Sequence, residues 1–270
     1  MKTIVITGAS SGIGKATAKH FAEQGWRVAA TMRKPEAETE LRQLENVSLY
    51  TLDVTDEESV DKAAVQILAD MGTVDAVLNN AGYAVMGTFE SATQEQIERQ
   101  FDVNVFGLMN VTRAFLPHFR ANGAGLFLNV SSMGGQITFP LISLYHSTKW
   151  AVEGFSESLA YELGCLGIQV KIIEPGVVNT DFYGRSMVFS AKEGLSDYDE
   201  LLARYQANRA GAEVSGSTPE QLAAAIYGAA TDGTDQMRYL IGPDAEQLVG
   251  LRRAQGDDAY VAAITQQMLS

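Results

Sequence analysis

Hydrophobic and polar positions along the 270-residue chain alternate between two rhythms. Short β-branched runs occur at TIVIT (3–7), RVAAT (27–31), VSLYT (47–51), VDAVLN (74–79), GLFLNV (125–130), IQVKII (168–173) and RYLIG (238–242). Several are apolar throughout, the pattern of strands covered on both faces. Between them lie longer stretches with apolar residues three and four apart, which predict helices near 13–24, 36–44, 56–70, 93–119, 145–163 and 219–230. Thr55-Asp56 and Thr218-Pro219 give start signals for two of these helices. The alternation predicts an α/β fold: a doubly wound parallel sheet of about seven strands, flanked by helices and joined by right-handed crossovers.

No repeat and no linker divides the chain, so 1–270 reads as one domain. The one long irregular stretch, 181–217, is either a lid over a binding site or a small helical insertion. The tail after 243 predicts one or two terminal helices.

Composition narrows the partners. The chain is 46% hydrophobic and 20% charged, a globular balance, but its net charge is −13 and its pI about 4.7. Phosphate-rich partners would be repelled, which argues against nucleic acid or an anionic membrane. One small anion held by local positive groups remains compatible. A single cysteine, Cys165, permits no intrachain disulfide and points to a reducing compartment, and neither a signal-peptide core nor an apolar run of membrane-spanning length is present; the expectation is a cytoplasmic protein. His20, His118 and His146 lack metal-ligand spacing, so no catalytic metal is expected, and His146 is expected at a pocket rim or an interface.

The first strand runs into TGASSGIG and then into a helix. Gly8, Gly12 and Gly14 allow a tight turn and close backbone approach. The helix N-terminus that follows offers free N–H groups to a pyrophosphate. A ribose with a free 2′-hydroxyl is usually held by an acid at the end of the second strand. Here Met32 takes that place and Arg33 follows, with a guanidinium that suits a 2′-phosphate. NADP(H) is therefore expected in preference to NAD(H); the alternative is that Arg33 is a solvated surface residue.

Further stretches stand at successive strand ends: LDVTD after the third strand, LNNAG (78–82), Asn104 within NVFG, NVSSMGG (129–135), YHSTK (145–149) and EPGVVNT (174–180). In this order, and behind TGASSGIG, they resemble the short-chain dehydrogenase/reductase family over roughly residues 3–180. The resemblance implies a Rossmann fold. It also implies that Gly8, Ser10, Ser11, Gly12, Ile13 and Gly14 wrap the phosphates and that Asp53 and Val54 flank the adenine. Asn80, Ala81 and Gly82 would line the ribose side, while Pro175, Gly176, Val178 and Thr180 would hold the nicotinamide. Asn104, Ser132, Tyr145 and Lys149 match the catalytic tetrad, and Tyr145 and Lys149 also touch the cofactor's site. At one position the chain departs from many NADP-preferring relatives: Ser11 stands where they carry a basic residue, which leaves a 2′-phosphate to Arg33.

A phenol of ordinary pKa, about 10, is a poor base at neutral pH, and a lysine ammonium one helical turn away favours the phenolate. Positions i and i+4 share a helix face, so Tyr145 and Lys149 can act on one space. Ser132 can orient the substrate oxygen, and the resemblance gives Asn104 the role of anchoring a water on a proton path from Lys149. Hydride transfer between nicotinamide and a carbonyl or secondary alcohol is the implied reaction.

Met86, Met133, Phe139, Leu141, Phe182, Tyr183, Met187, Val188, Phe189 and Tyr198 lie in stretches expected to wall the pocket, which suits an apolar or aromatic substrate. The resemblance also implies a homodimer or homotetramer through 93–119 and 145–163. Two other readings stay open: an NADP(H)-binding sensor or regulatory protein without turnover, and a Rossmann-like methyltransferase. The first would tolerate loss of the tyrosine or lysine, and the second would not need them.

Overall fold

A computed structural model describes residues 1–179, 186–210 and 216–269. In chain order the strands are β1 (Thr3–Ile6), β2 (Arg27–Met32), β3 (Val47–Thr51), β4 (Ala76–Asn79), β5 (Ala84–Met86), β6 (Gly125–Val130), β7 (Ile168–Pro175), β8 (Met187–Phe189) and β9 (Arg238–Ile241). The helices are α1 (Gly12–Glu23), α2 (Glu57–Met71), α3 (Gln94–Phe101), α4 (Gly107–Asn122), α5 (Ser143–Gly164), α6 (Asp199–Ala210), α7 (Pro219–Thr231), α8 (Pro243–Gln255) and α9 (Asp257–Leu269).

Seven strands form one parallel sheet in the order β3-β2-β1-β4-β6-β7-β9. This is a single-domain Rossmann-type fold, as the alternation of short and long apolar runs predicts. The order reverses between β1 and β4, so the crevice for a ligand opens at their C-terminal ends. Successive strand residues point to opposite faces, and both faces are covered. On one face Ile4, Ile6 and Val28 pack with Phe21, Trp26 and Ile226 of the α1 and α7 side. On the other face Val5, Val77 and Phe127 pack with Val111, Phe115 and Phe119 of α4 and with Leu159 of α5. Each fully buried phenylalanine contributes roughly 2–3 kcal/mol of transfer free energy.

Helix starts follow their caps. Asp56 opens α2 by accepting the N–H groups of Glu58 and Ser59, and Thr218 with Gln221 forms a reciprocal capping box on α7. Two expected helices differ. Over 36–44 there are only 3₁₀ turns at Pro35–Ala37 and Leu41–Gln43. The buried Glu38 carboxylate accepts the N–H groups of Glu40 and Leu41, a local alternative to the helical ladder. The stretch 93–119 is interrupted by a π turn over Asp102–Phe106.

Of the irregular stretch 181–217 the structure describes 186–210 and 216–217. Its described part contains β8, which pairs in parallel with β5, and α6, which packs near α9. The tail forms two helices, and these make a third core cluster in which Met133 and Ile137 meet Ala245, Val249, Tyr260 and Ile264. The segment after β6 is thereby seated on the C-terminal helices. No helix among the described residues is long and apolar enough to cross a membrane.

Candidate active site

The glycine turn is built by Thr7 at the end of β1. Its Oγ1 accepts the N–H groups of Asn80 and Ala81 at 2.9 and 3.1 Å, and Asn80 Nδ2 reaches back to the Thr7 carbonyl at 2.9 Å. This ties the β1 turn to the segment after β4. Gly8 and Gly12 adopt φ of +67° and +54°, a region that favours glycine. A Cβ on Gly14 would stand 2.5 Å from both Asn80 Nδ2 and the Gly8 carbonyl. Ser11 is the N-cap of α1, but its side chain makes no capping bond. Backbone N–H groups of the first turn therefore face the crevice between β1 and β4 without a side-chain acceptor.

The neighbouring positions are assembled at the same edge. Arg33 is exposed just past β2. Asp53 is half-buried, and its carboxylate accepts the Thr55 N–H and hydroxyl at 3.0 and 2.8 Å. Val54 is buried against Gly107, where a Cβ would come within 2.6 Å of it. Ser10 is exposed, Ile13 packs partly against the α1-side core, and Asn80, Ala81 and Gly82 are half-buried.

On the far side, Pro175 ends β7 and the strap 175–179 leaves it. Gly176 N–H donates to the Ile241 carbonyl at 2.8 Å, and Val178 forms a bridge with Ser217. Thr180 lies outside the described residues, as do Phe182 and Tyr183 of the expected pocket wall.

The tetrad residues come together from three elements. Tyr145 and Lys149 share one face of α5, with Lys149 Nζ 5.5 Å from the Tyr145 ring centroid, within cation–π range. Lys149 is buried, and its ammonium donates to the Val130 carbonyl at 2.8 Å. Burial pulls its pKa down to about 8, against an opposing pull from the Glu153 carboxylate. Ser132 follows β6 with extended backbone; its Oγ accepts the Gly134 N–H at 3.0 Å and faces the Pro175 carbonyl at 3.5 Å. The adjacent Ser131 is buried beneath it, which leaves Ser132 as the serine at the crevice.

Asn104 sits in the π turn, a feature frequent at functional sites. Its Oδ1 accepts the Tyr83 N–H, and its Nδ2 donates to the Tyr83 carbonyl and to Thr148 Oγ1, at 3.0, 2.9 and 3.0 Å. Both amide hydrogens are engaged, so the side chain clamps the helix to the segment after β4 and to α5.

His146 departs from its expected place at a rim. It is buried, its Nε2 accepts the Phe139 N–H at 2.8 Å, and its Nδ1 donates to the Gly134 carbonyl at 2.8 Å. Burial lowers its pKa, which suits the neutral ring that this pairing requires. The cause of the difference is the 133–142 segment, which folds over the helix face adjacent to Tyr145. His146 thus staples both ends of the loop that carries Ser132. Thr7, Thr148 and His146 lie inside the motifs TGASSGIG and YHSTK, but only their partners elsewhere in the chain reveal what they hold.

The expected pocket wall is partly core. Met133 and Phe139 pack into the cluster of the C-terminal helices, and Tyr198 gives its hydroxyl proton to Glu90. Leu141, Met187, Val188 and Phe189 remain nearer the surface. Leu141 has φ of +66°, unusual for a branched side chain, and its carbonyl accepts the Gly87 N–H at 2.7 Å. Among the described residues no group of three metal-ligating side chains gathers.

Known proteins are similar to this chain. A family model described as short chain dehydrogenase matches residues 2–187. A 3-ketodihydrosphingosine reductase of Bacteroides thetaiotaomicron is 36% identical over 240 residues, which covers 89% of this chain and 87% of that protein. A crystal structure of a short-chain dehydrogenase from Streptomyces avermitilis is similar with a TM-score of 0.84 and 35% identity, covering 98% of this chain and 97% of that one. ElxO with NADP bound is similar at a TM-score of 0.76 and 27% identity, covering 92% and 98%. With two thirds of its length inside the family model and relatives above 30% identity over most of it, the chain belongs to the short-chain dehydrogenase family of oxidoreductases.

Proposed function

We propose that the protein is an NADP(H)-dependent oxidoreductase that interconverts a carbonyl and a secondary alcohol, with Tyr145 as general acid and base. The observation that carries this reading is the Lys149 ammonium, buried, fixed to the Val130 carbonyl and placed 5.5 Å over the Tyr145 ring. A cation held there favours the phenolate and brings the tyrosine into a useful range. NADP(H), when bound, supplies or accepts the hydride.

The residues present fit that cofactor. Gly8 and Gly14 leave no room for a Cβ against Asn80 and its neighbours, and the positive φ of Gly8 and Gly12 makes the tight turn that suits a pyrophosphate. Ser10, Ser11 and Ile13 complete that turn, Arg33 stands ready for a 2′-phosphate, and Asp53 and Val54 flank the adenine side. Asn80, Ala81 and Gly82 line the ribose side, and Pro175, Gly176 and Val178 the nicotinamide side. In reduction Tyr145 gives its phenolic proton to the substrate oxygen, which Ser132 holds by a hydrogen bond. In oxidation Tyr145 accepts that proton. Lys149, whose pKa is pulled toward neutrality, resupplies the proton. With both Asn104 amide hydrogens engaged and its oxygen accepting the Tyr83 N–H, a proton path past it has the one remaining oxygen lone pair to use.

Leu141, Met187, Val188 and Phe189 support an apolar or aromatic ketone or aldehyde as substrate, as does the ketone in the name of the Bacteroides relative. Exposed Phe106, Trp150 and Tyr161 on and beside α4 and α5 support a homodimer or homotetramer. The reading is tested by NADPH consumption across aldehydes, ketones, β-ketoesters and steroids, with Tyr145→Phe as the blank. The variant should lose about 10²–10⁴-fold in turnover while still binding NADPH. Near-wild-type turnover in Tyr145→Phe would refute the proton transfer.

A further inference from the structure

Behind Ser132 lies a second group of ionisable side chains that the proton path above does not use. Glu153 is on α5, one turn beyond Lys149, and Glu174 is on β7, next to Pro175. Both are buried, Glu174 completely. Arg238 of β9 forms an ion pair with both, its Nε 3.0 Å from Glu153 Oε2 and 3.5 Å from Glu174 Oε1. The same guanidinium is shared with Glu157 at the surface, through Nη2 at 2.6 Å. Three carboxyls therefore face one guanidinium, and two of the three are out of water.

The hydrogen bonds expose the missing charge balance. Glu174 Oε1 accepts from Gln136 Nε2, and Glu153 Oε2 accepts from Arg238. Glu174 Oε2 and Glu153 Oε1 are buried and have no partner among the described residues. Both carboxyls converge on the same Arg238 Nε, at 3.0 and 3.5 Å, which sets the two side chains beside each other. Two carboxylates cannot satisfy one another, because both only accept. One proton between them turns the pair into donor and acceptor and removes one uncompensated buried charge.

We propose that Glu153 and Glu174 share a single proton and that this carboxyl pair is a positioning unit, which locks the Ser132 loop against the end of β7 and the Lys149 helix. Gln136 carries the link to the loop. Its Oε1 accepts from Arg253 at 2.7 Å and its carbonyl from Arg252 at 3.0 Å, so the C-terminal helix α8 clamps it from outside. A Cβ on Gly135 would meet Glu153 Cγ at 2.8 Å and Ser131 Oγ at 2.6 Å, so Glu153 packs directly beneath the turn that follows Ser132.

Glu174 is the member that holds the proton: burial first, and then the Glu153 charge, push it up to about 8. Gln136 and Arg238 oppose that shift. The Glu153 carboxyl is paired with Arg238 at 3.0 Å, and the Lys149 pKa is drawn upward by its proximity, against the effect of burial. Loss of the shared proton near pH 8 sets two buried carboxylates against each other and frees the Gln136 turn. The charged and titratable groups facing the pair are Lys149 and Glu157 from α5, Arg238 from β9, and Arg252 and Arg253 through Gln136.

This inference rests on the oxidoreductase reading for its kinetic arm only. Infrared spectroscopy of the wild-type protein, titrated from pH 6 to pH 10, should show the carbonyl stretch of a buried protonated carboxylic acid. The stretch should bleach as pH passes about 8 and be absent in Glu174→Gln. In the kinetic arm, the alkaline fall of kcat/KM should involve two protons in the wild type and one in Glu174→Gln, where an amide N–H permanently replaces the shared proton. Glu153→Gln should shift the remaining limb to lower pH by removing the charge that supports Lys149. No protonated carboxyl in the wild type, or an unchanged alkaline limb in Glu174→Gln, would overturn the proposal while turnover itself stands. Absence of turnover on every carbonyl would instead sink the oxidoreductase reading and leave the infrared arm to decide this one.

Discussion

Asp244 offers the sharpest test of how the cofactor strap is held. It occupies the first turn of α8, after Pro243, and its Oδ2 accepts the Val177 N–H at 2.7 Å. Room for the carboxylate is made by two glycines: a Cβ on Gly176 would stand 2.3 Å, and one on Gly242 2.7 Å, from Oδ1. The helix N-terminus favours the negative charge. Asp244→Ala deletes a charge-assisted hydrogen bond worth about 1.5–3 kcal/mol. The strap keeps other anchors, among them Gly176 N–H on the Ile241 carbonyl, Ser217 N–H on the Val177 carbonyl and Asn179 N–H on the Ser217 carbonyl, so it should loosen rather than detach. If most of the loss falls on the strap, NADPH affinity drops by about 10- to 150-fold, at 1.4 kcal/mol per tenfold. Fluorescence titration of NADPH gives Kd, and scanning calorimetry separates a fall in Tm from a fall in affinity. Asp244→Asn keeps an acceptor oxygen for Val177 and should recover part of the affinity. A wild-type Kd in Asp244→Ala, or an Asp244→Asn variant as weak as Asp244→Ala, would refute the reasoning.

Two further outcomes are expected. Arg33→Asp should turn the preference from NADP(H) toward NAD(H), because a carboxylate repels a 2′-phosphate and suits a ribose hydroxyl pair; kcat/KM for both cofactors measures it, and an unchanged ratio removes Arg33 from the site. Stability should also depend on Glu174: its folded pKa of about 8 lies above its ordinary 4.5, so its contribution is fully present below about 4.5 and is lost as pH rises through 8. Urea denaturation across that window should show the decline in the wild type and a flatter dependence in Glu174→Gln, whereas equal slopes in the two would show that Glu174 titrates as an ordinary acid.

The parts of the fold that are legible in the sequence are those whose signal is local. Uniformly apolar strands and i, i+4 helices carry their own periods, and Tyr145 and Lys149 need only one helical turn to meet. The parts that are not legible depend on partners far along the chain. The strands AVM (β5) and MVF (β8) are three residues each, too short for a period, and exist only because they pair across about 100 residues. The π turn that breaks 93–119 is held by Asn104 reaching Tyr83, 21 positions away. Glu38 replaces a helix over 36–44 by capping N–H groups with its own carboxylate. His146 lies buried rather than at a rim because a helix-face argument cannot see the loop that folds over it.

A division of labour follows from these contacts. The motifs that resemble the family, and the family model itself, end by residue 187. Yet some of the pieces that fix the site's geometry come from beyond it. Asp244 holds the cofactor strap, Arg252 and Arg253 hold Gln136 beside the Ser132 loop, and Tyr260 gives its hydroxyl proton to the Thr138 carbonyl. Tyr260 and Ile264 also pack with Met133 and Ile137 of that loop. A side chain a few tenths of an ångström out of place weakens proton transfer, so in the proposed reaction the rigidity supplied by α8 and α9 would serve catalysis although neither helix carries one of the proposed reacting groups. The first two thirds of the chain specify which chemistry the site can do. The last third, through a few charged and aromatic anchors rather than a motif, decides how firmly the serine loop and the cofactor strap are held to do it.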